Sequence, residues 1–247
     1  MLKLRCNITW FCYRGIIAMI LKYIRKMFIN NEKAWDFESL RDFWVSDKLT
    51  NIKPGDFGEF PEGFDPRKIL ELLHRWIGGG QITELGCGYG RLCTAFPVDQ
   101  YYGLDLNPFA IKKAKETFPP YQFDIIDEPN RLQGGIMLLA YTVFLHMPDD
   151  VLIEWINSAK KHYNYIVICE ILGRDWRRTA GTTPVFNREL NEYVALLNPF
   201  NLITEIRIPY QRYVKIPFAS KVKNTDISFM VFGRDEICLS GFALTEG

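Results

Sequence analysis

From residue 65 onward the chain alternates two hydrophobic rhythms. Positions 82–85, 101–104, 121–123, 136–140, 165–169, 202–208 and 227–232 are short runs dominated by apolar residues, as buried strands require. Between them apolar residues recur at helical spacing. Asp65-Pro66 is a cap followed by a first-turn proline, and Ile69, Leu70, Leu72, Leu73, Trp76 and Ile77 form the stripe behind it. Gly78-Gly79-Gly80 stops that helix. Further helices are predicted through Leu92 and Phe96, over 108–118, from Asp149-Asp150 along Val151, Leu152, Trp155, Ile156 and Ala159, and over 186–197. Alternation of this kind predicts an α/β fold, a Rossmann-like doubly wound sheet with helices on both faces. Ligands of such sheets sit beyond the carboxyl ends of the strands, beside the first strand.

Residues 1–64 read differently. Lys3, Arg5, Arg14, Lys22, Arg25 and Lys26 are unopposed by any acid in the first 30 residues, which are otherwise strongly apolar. Arg14 and Lys22 interrupt the apolar run well short of the ~20 residues a membrane-spanning helix needs. With Ala18, Arg25 and Lys26 they lie along one stripe of an amphipathic helix. Such a helix packs on the domain or a partner subunit, or lies on an anionic membrane surface. Residues 33–45, with Trp35, Phe43 and Trp44, predict a short helix, and 46–66 an irregular Gly- and Pro-rich connection. The expected organisation is an N-terminal helical extension, 1–64, and one main domain, 65–247.

Composition narrows the chemistry. The 247 residues are 48% hydrophobic and 24% charged, which excludes a disordered chain or a coiled coil. Aromatic residues, at 15%, favour a dense core or an aromatic-lined pocket. Lys+Arg number 30 against 29 Asp+Glu, so net charge alone points to no polyanionic partner. The cysteines form no C-x-x-C pair and His74, His146 and His162 are scattered, so neither a metal site nor a disulfide framework is expected. The expected location is cytoplasmic, with peripheral attachment at the membrane surface as the alternative.

The turn after the first strand carries the strongest signal. Glu84-Leu85-Gly86-Cys87-Gly88-Tyr89-Gly90 lets the backbone turn sharply and a ligand approach without a Cβ in the way. A dinucleotide fingerprint would read G-x-G-x-x-G, but the last glycine here comes one residue early. Glu84 is also unsuited to a pyrophosphate and suits an ammonium or sulfonium. Asp105, at the end of the second strand, stands where a carboxylate accepts from both ribose hydroxyls of a nucleoside ligand. Asp124 ends the third strand and can accept from an adenine amino group, with the Ile125 N–H reaching a ring nitrogen. Asp127, three residues on, is its rival.

These segments, with Gly103-Leu104-Asp105-Leu106-Asn107-Pro108 and Leu139-Ala140-Tyr141-Thr142-Val143-Phe144-Leu145-His146-Met147-Pro148-Asp149, resemble the class I S-adenosylmethionine-dependent methyltransferases. Phe186-Asn187-Arg188-Glu189-Leu190 resembles the start of that family's fifth helix. The resemblance implies a seven-stranded sheet with strand seven antiparallel between strands five and six. It implies S-adenosyl-L-methionine as cofactor. Glu84, Gly86 and Gly88 would hold its methionyl part, with Cys87 and Gly90 in the same turn. Asp105 and Leu106 would hold the ribose, Asp124 and Ile125 the adenine, and Ala140 and Tyr141 would line the methionyl end. Ile136 stands where the family often has an acid, which leaves the subfamily open.

Methyl transfer asks mainly for alignment, and for a base only where the acceptor needs one. His146 is the candidate base or acceptor-orienting group, with an ordinary loop histidine as the alternative reading. Tyr141 is the second catalytic candidate and Glu170 a weaker one. Two loops on the ligand side are basic: 173–185, with Arg177 and Arg178, and 209–225, with Arg212. They suggest an anionic small-molecule or glycan acceptor, methylated on O or N. The run Ala140-Tyr141-Thr142-Val143 lacks the Asx-Pro-Pro-aromatic pattern of amino-methylating DNA enzymes. An RNA- or cap-directed enzyme and a non-catalytic cofactor-binding scaffold are the alternatives.

Overall fold

The computed structural model describes residues 37–45, 65–173, 184–209 and 226–234. Helix α1 (Phe37–Val45) is followed by α2 (Pro66–Trp76), β1 (Ile82–Leu85), β2 (Tyr101–Asp105), α3 (Pro108–Thr117) and β3 (Gln122–Ile125). Then come β4 (Gly135–Tyr141), α4 (Asp149–His162), β5 (Tyr163–Ile171), α5 (Leu190–Leu197), β6 (Asn201–Pro209) and β7 (Asp226–Gly233). Every predicted strand is present, most of them longer by one or two residues at an end.

Asp65 caps α2 by accepting from the Arg67 N–H at 2.9 Å, and Pro66 fills the first turn where no N–H is needed. Asn107 caps α3 in the same way, accepting from Phe109 and Ala110. The seven strands form one sheet in the order β3-β2-β1-β4-β5-β7-β6. β1 pairs in parallel with β2 and β4, while β7 runs antiparallel to both β5 and β6. Strand order therefore reverses beside β1, which is where the sheet opens a crevice at its carboxyl edge.

Both faces are covered, so the central strands β1, β4 and β5 are buried along most of their length rather than on alternate residues. Leu70, Tyr101, Phe123 and Phe229 belong to the core on one face; Leu138, Ile156, Tyr193 and Phe232 to that on the other. Phe123 locks β3 onto the sheet by close approach to two glycines. A Cβ at Gly90 would lie 2.8 Å from its ring and one at Gly103 2.6 Å. Among the described residues no helix is long and apolar enough to cross a membrane.

Two predicted helices are corrected. The one through Leu92 and Phe96 is only a 3-10 turn, Cys93–Ala95. Gly90 before it and Pro97 after it leave too few residues to nucleate an α-helix. The helix predicted over 186–197 begins at Leu190, with a capping box between Glu189 and Glu192. Phe186, Asn187 and Arg188 are instead committed to long-range bonds. The Phe186 N–H donates to the Leu145 carbonyl at 2.6 Å, and Asn187 Nδ2 to the Ile171 carbonyl at 2.6 Å. The basic stripe of residues 1–30 lies outside the described residues.

Candidate functional site

A cleft of about 280 Å3 opens at the carboxyl ends of β1, β2 and β4. One wall is the glycine-rich turn. The Gly86 and Cys87 N–H groups both donate to the Leu104 carbonyl, at 2.7 and 3.0 Å, which holds the turn against β2. Gly86 has φ +71° and its missing Cβ would lie 2.3 Å from Val143 Cγ2, so no other residue fits. Gly88, at φ +53°, has no atom within 4 Å of the position a Cβ would take; a side chain there would stand where a ligand comes. Its N–H donates to Asp105 Oδ2 at 2.7 Å, and the Asn107 N–H to Oδ1 at 2.8 Å. Burial raises the Asp105 carboxyl, and these backbone donors pull it back down.

Glu84 lies at the floor, 2% exposed. Burial pushes its carboxyl up to about 8, although Tyr101 donates to Oε2 at 2.5 Å and the Arg91 guanidinium opposes the rise. Arg91 also lines the cleft, its guanidinium 5.1 Å from the centre of the Tyr141 ring. The far wall comes from Tyr141, Thr142, Val143, His146 and Met147, after β4. His146 Nδ1 lies 2.7 Å from the Pro184 carbonyl. A carbonyl can only accept, so Nδ1 carries the proton and Nε2 is the basic nitrogen of the neutral ring.

Helix α1 forms the remaining side through Leu40, Arg41 and Trp44. The Trp44 ring packs 4.5 Å from the His146 ring, and Asn107 Nδ2 donates to the Trp44 carbonyl at 2.8 Å. Asn107 thus caps α3 with one side-chain atom and seats α1 with the other.

Of the residues expected from sequence, Glu84, Gly86, Cys87, Gly88, Asp105, Leu106, Tyr141 and His146 all line this cleft. Four do not. Gly90 serves packing against Phe123. Ala140 is fully buried in the core, because alternation along β4 turns it to the face opposite Tyr141. Asp124 faces outward, accepting from Tyr102 Oη at 2.9 Å and pairing with Lys115 at 3.3 Å, and Ile125 is exposed beside it. The chain leaves the sheet only after Ile125. The Ile126 N–H donates to the Asp105 carbonyl at 3.0 Å, and Ile126 and the rival Asp127 line the cleft instead. Arg177, Arg178 and Arg212 lie outside the described residues. Among those described, no group of His, Cys, Asp and Glu side chains could hold a metal ion.

Sequence reasoning missed Leu40, Arg41, Trp44, Arg91 and Trp155 as cleft residues. Arg91 directly follows the glycine motif, so its position was a usable signal. Trp44 and its neighbours gave none, since nothing local ties residue 44 to residues 107 and 146.

The sequence matches no protein-family model and no curated protein. Solved structures do match. Magnesium protoporphyrin IX methyltransferase from Synechocystis PCC 6803, solved with bound SAH, is 12% identical at a TM-score of 0.57, covering 81% of this chain and 100% of its own. The putative methyltransferase in complex with the Haloferax volcanii Trm112 methyltransferase activator is 11% identical at 0.52, covering 71% and 93%. TehB from Haemophilus influenzae is 13% identical at 0.51, covering 71% and 64%. At such identities the shared property is architecture, and the strand order with β7 antiparallel agrees with it: this chain has the class I S-adenosylmethionine-dependent methyltransferase fold.

Proposed function

We propose that the chain is an S-adenosylmethionine-dependent methyltransferase that methylates O or N of a small-molecule or saccharide acceptor. One observation carries this reading. A carboxylate (Asp105) and an uncrowded glycine (Gly88) share a hydrogen bond at the point where strand order reverses, beside a buried acid (Glu84). Those are the parts a ribose, a methionyl chain and an ammonium need. The neighbour solved with SAH supports the same choice of cofactor.

In this reading Asp105 accepts from the ribose hydroxyls. Asp127, already paired with Arg131 at 2.8 Å, takes the adenine amino group in place of Asp124. Glu84 faces the ammonium and Arg91 the carboxylate of the methionyl end. When bound, the cofactor supplies a methyl group already activated by its sulfonium. The protein then has to orient the acceptor and accept its proton. His146 Nε2 does the latter, with Nδ1 held by Pro184 and the ring backed by Trp44. Arg41 on the cleft, with the basic loops that hold Arg177, Arg178 and Arg212, favours an anionic acceptor. The Synechocystis neighbour's name, that of a methyltransferase for a small molecule, is consistent with this class.

Calorimetry with S-adenosylhomocysteine tests the cofactor, and incubation with methyl-labelled cofactor and fractionated extract tests the acceptor. The expected result is binding, and label in a low-mass anionic species. Label in RNA would replace the small-molecule reading, and binding without labelled product would make the chain a scaffold.

A further inference from the structure

Residues 142–149 follow β4 and carry Thr142, Val143, His146 and Met147 to the cleft. Their conformation is costly on its own. Thr142 has φ +55°, a left-handed value that a β-branched residue rarely adopts. Two buried polar side chains from distant parts of the sequence hold the segment in place.

Glu170, on β5, is fully buried. Its Oε1 accepts from three consecutive backbone N–H groups, Val143 at 3.1 Å, Phe144 at 2.9 Å and Leu145 at 3.3 Å. Its Oε2 meets no partner among the described residues, so all the bonding it shows is aimed at this segment. Arg188, 1% exposed, grips the other side. It donates to the carbonyls of Phe144 at 3.0 Å and Met147 at 2.8 Å, and pairs with Asp149 at 2.5 Å. The carboxylate thus takes the donors of the 3-10 turn Phe144–His146 and the guanidinium takes its acceptors. The same stretch that bears Arg188 also bears the Pro184 carbonyl that fixes His146 Nδ1.

We propose that Glu170 and Arg188 are positioning residues for the acceptor half of the site, clamping residues 142–149 so that His146 keeps its Nδ1–H tautomer and its place on the cleft. The inference rests on the methyltransferase reading for what His146 does, but not for how His146 is held. A carboxylate held by consecutive backbone N–H groups is a strong, geometrically defined anchor. Neither clamp residue touches the cofactor half, whose polar contacts come from Glu84, Gly88 and Asp105.

The chain has three histidines, so the ring nitrogens of His146 can be resolved by nitrogen NMR of histidine-labelled protein. The wild-type ring is expected in the Nδ1–H form. Glu170→Met removes the acceptor of all three N–H bonds, and Arg188→Lys keeps the charge but loses the fork. Both should shift His146 towards mixed tautomers while the dissociation constant of S-adenosylhomocysteine changes less than about threefold, since neither side chain bonds Glu84, Gly88 or Asp105. Leu197→Ala, in the core at α5, is the control for lost stability alone and should leave the His146 signals in place. An unmoved His146 in both clamp variants, or an equal shift in the control, overturns the clamp. Failure of the wild-type chain to bind S-adenosylhomocysteine overturns the methyltransferase reading and the acceptor-side role with it, and the tautomer shift then still reports the clamp.

Discussion

The two halves of the cleft are built by opposite means. On the side of β1 and β2, each polar partner lies within about 20 residues of the next: Glu84, the glycine turn, Asp105 and its backbone donors from Gly88 and Asn107. On the side of β4, a single turn of chain is held by Glu170, Pro184 and Arg188 and is backed by Trp44. The first half is a short stretch of sequence wrapped on itself. The second is a meeting place of four remote segments. Local construction leaves a motif, and remote construction leaves only buried charges whose partners cannot be guessed from spacing.

If the halves are independent, removing Asp105, the proposed ribose ligand, should be the most damaging single change to cofactor binding and should leave the His146 tautomer intact. Asp105→Ala forfeits two charge-assisted bonds, about 3–4 kcal/mol, and weakens S-adenosylhomocysteine several hundredfold in calorimetry. The matching change on the other side is Arg188→Met. It leaves the buried Phe144 and Met147 carbonyls without their donor, and urea unfolding should show a loss of about 3 kcal/mol. Binding of S-adenosylhomocysteine to the folded fraction should barely change. A large loss of binding in this variant would break the division.

Acidity sharpens the same contrast, because each half holds one fully buried glutamate. Burial pushes both Glu84 and Glu170 up to about 8. An acid raised in the folded state binds its proton more tightly there than when unfolded. Its stabilising protonation is therefore complete below about 4.5 and is lost as pH rises towards 8. Stability of the ligand-free chain should fall across that window, and Glu84→Gln should flatten part of the fall. A bound ammonium favours ionised Glu84, so affinity for S-adenosylhomocysteine should rise over the same range and binding should release a proton. Calorimetry in buffers of different ionisation enthalpy reads this directly. Glu170→Gln should leave that proton release unchanged.

Two smaller effects bound the cleft. Trp44→Ala removes a wall and a ring contact worth about 1 kcal/mol and should broaden the His146 signals with only a few-fold loss of cofactor affinity. Asp124→Ala breaks an exposed pair and should cost less than about 0.5 kcal/mol, with no change in binding. A larger effect on binding would return the adenine contact to Asp124 from Asp127.

The same division explains what the sequence made legible. All seven strands were visible because each is a short run dominated by apolar residues, whether parallel in the centre or antiparallel at the β6–β7 edge. Glu84, Gly86, Gly88 and Asp105 were visible because glycine and carboxylate positions after consecutive strands are fixed by local geometry. The choice between Asp124 and Asp127 turned on whether β3 ends at Phe123 or Ile125, a two-residue boundary that apolar pattern does not resolve. Ala140 was misplaced by one step of alternation. The start of α5 was set too early because Phe186-Asn187-Arg188 has no helix breaker; tertiary bonds, not propensity, keep it extended. The seat of α1 on Asn107 had no trace in the sequence at all.

Phe123 sits close against two backbones that have been stripped of side chains to receive it. Its ring is the shared filling of positions 90 and 103. At position 103 a methyl gained demands a slimmer residue at 123, whereas at position 90 the left-handed backbone, φ +76°, demands glycine even then. A glycine at position 103 then testifies to the bulk of the phenylalanine opposite it on the neighbouring strand, whatever the cleft above it holds.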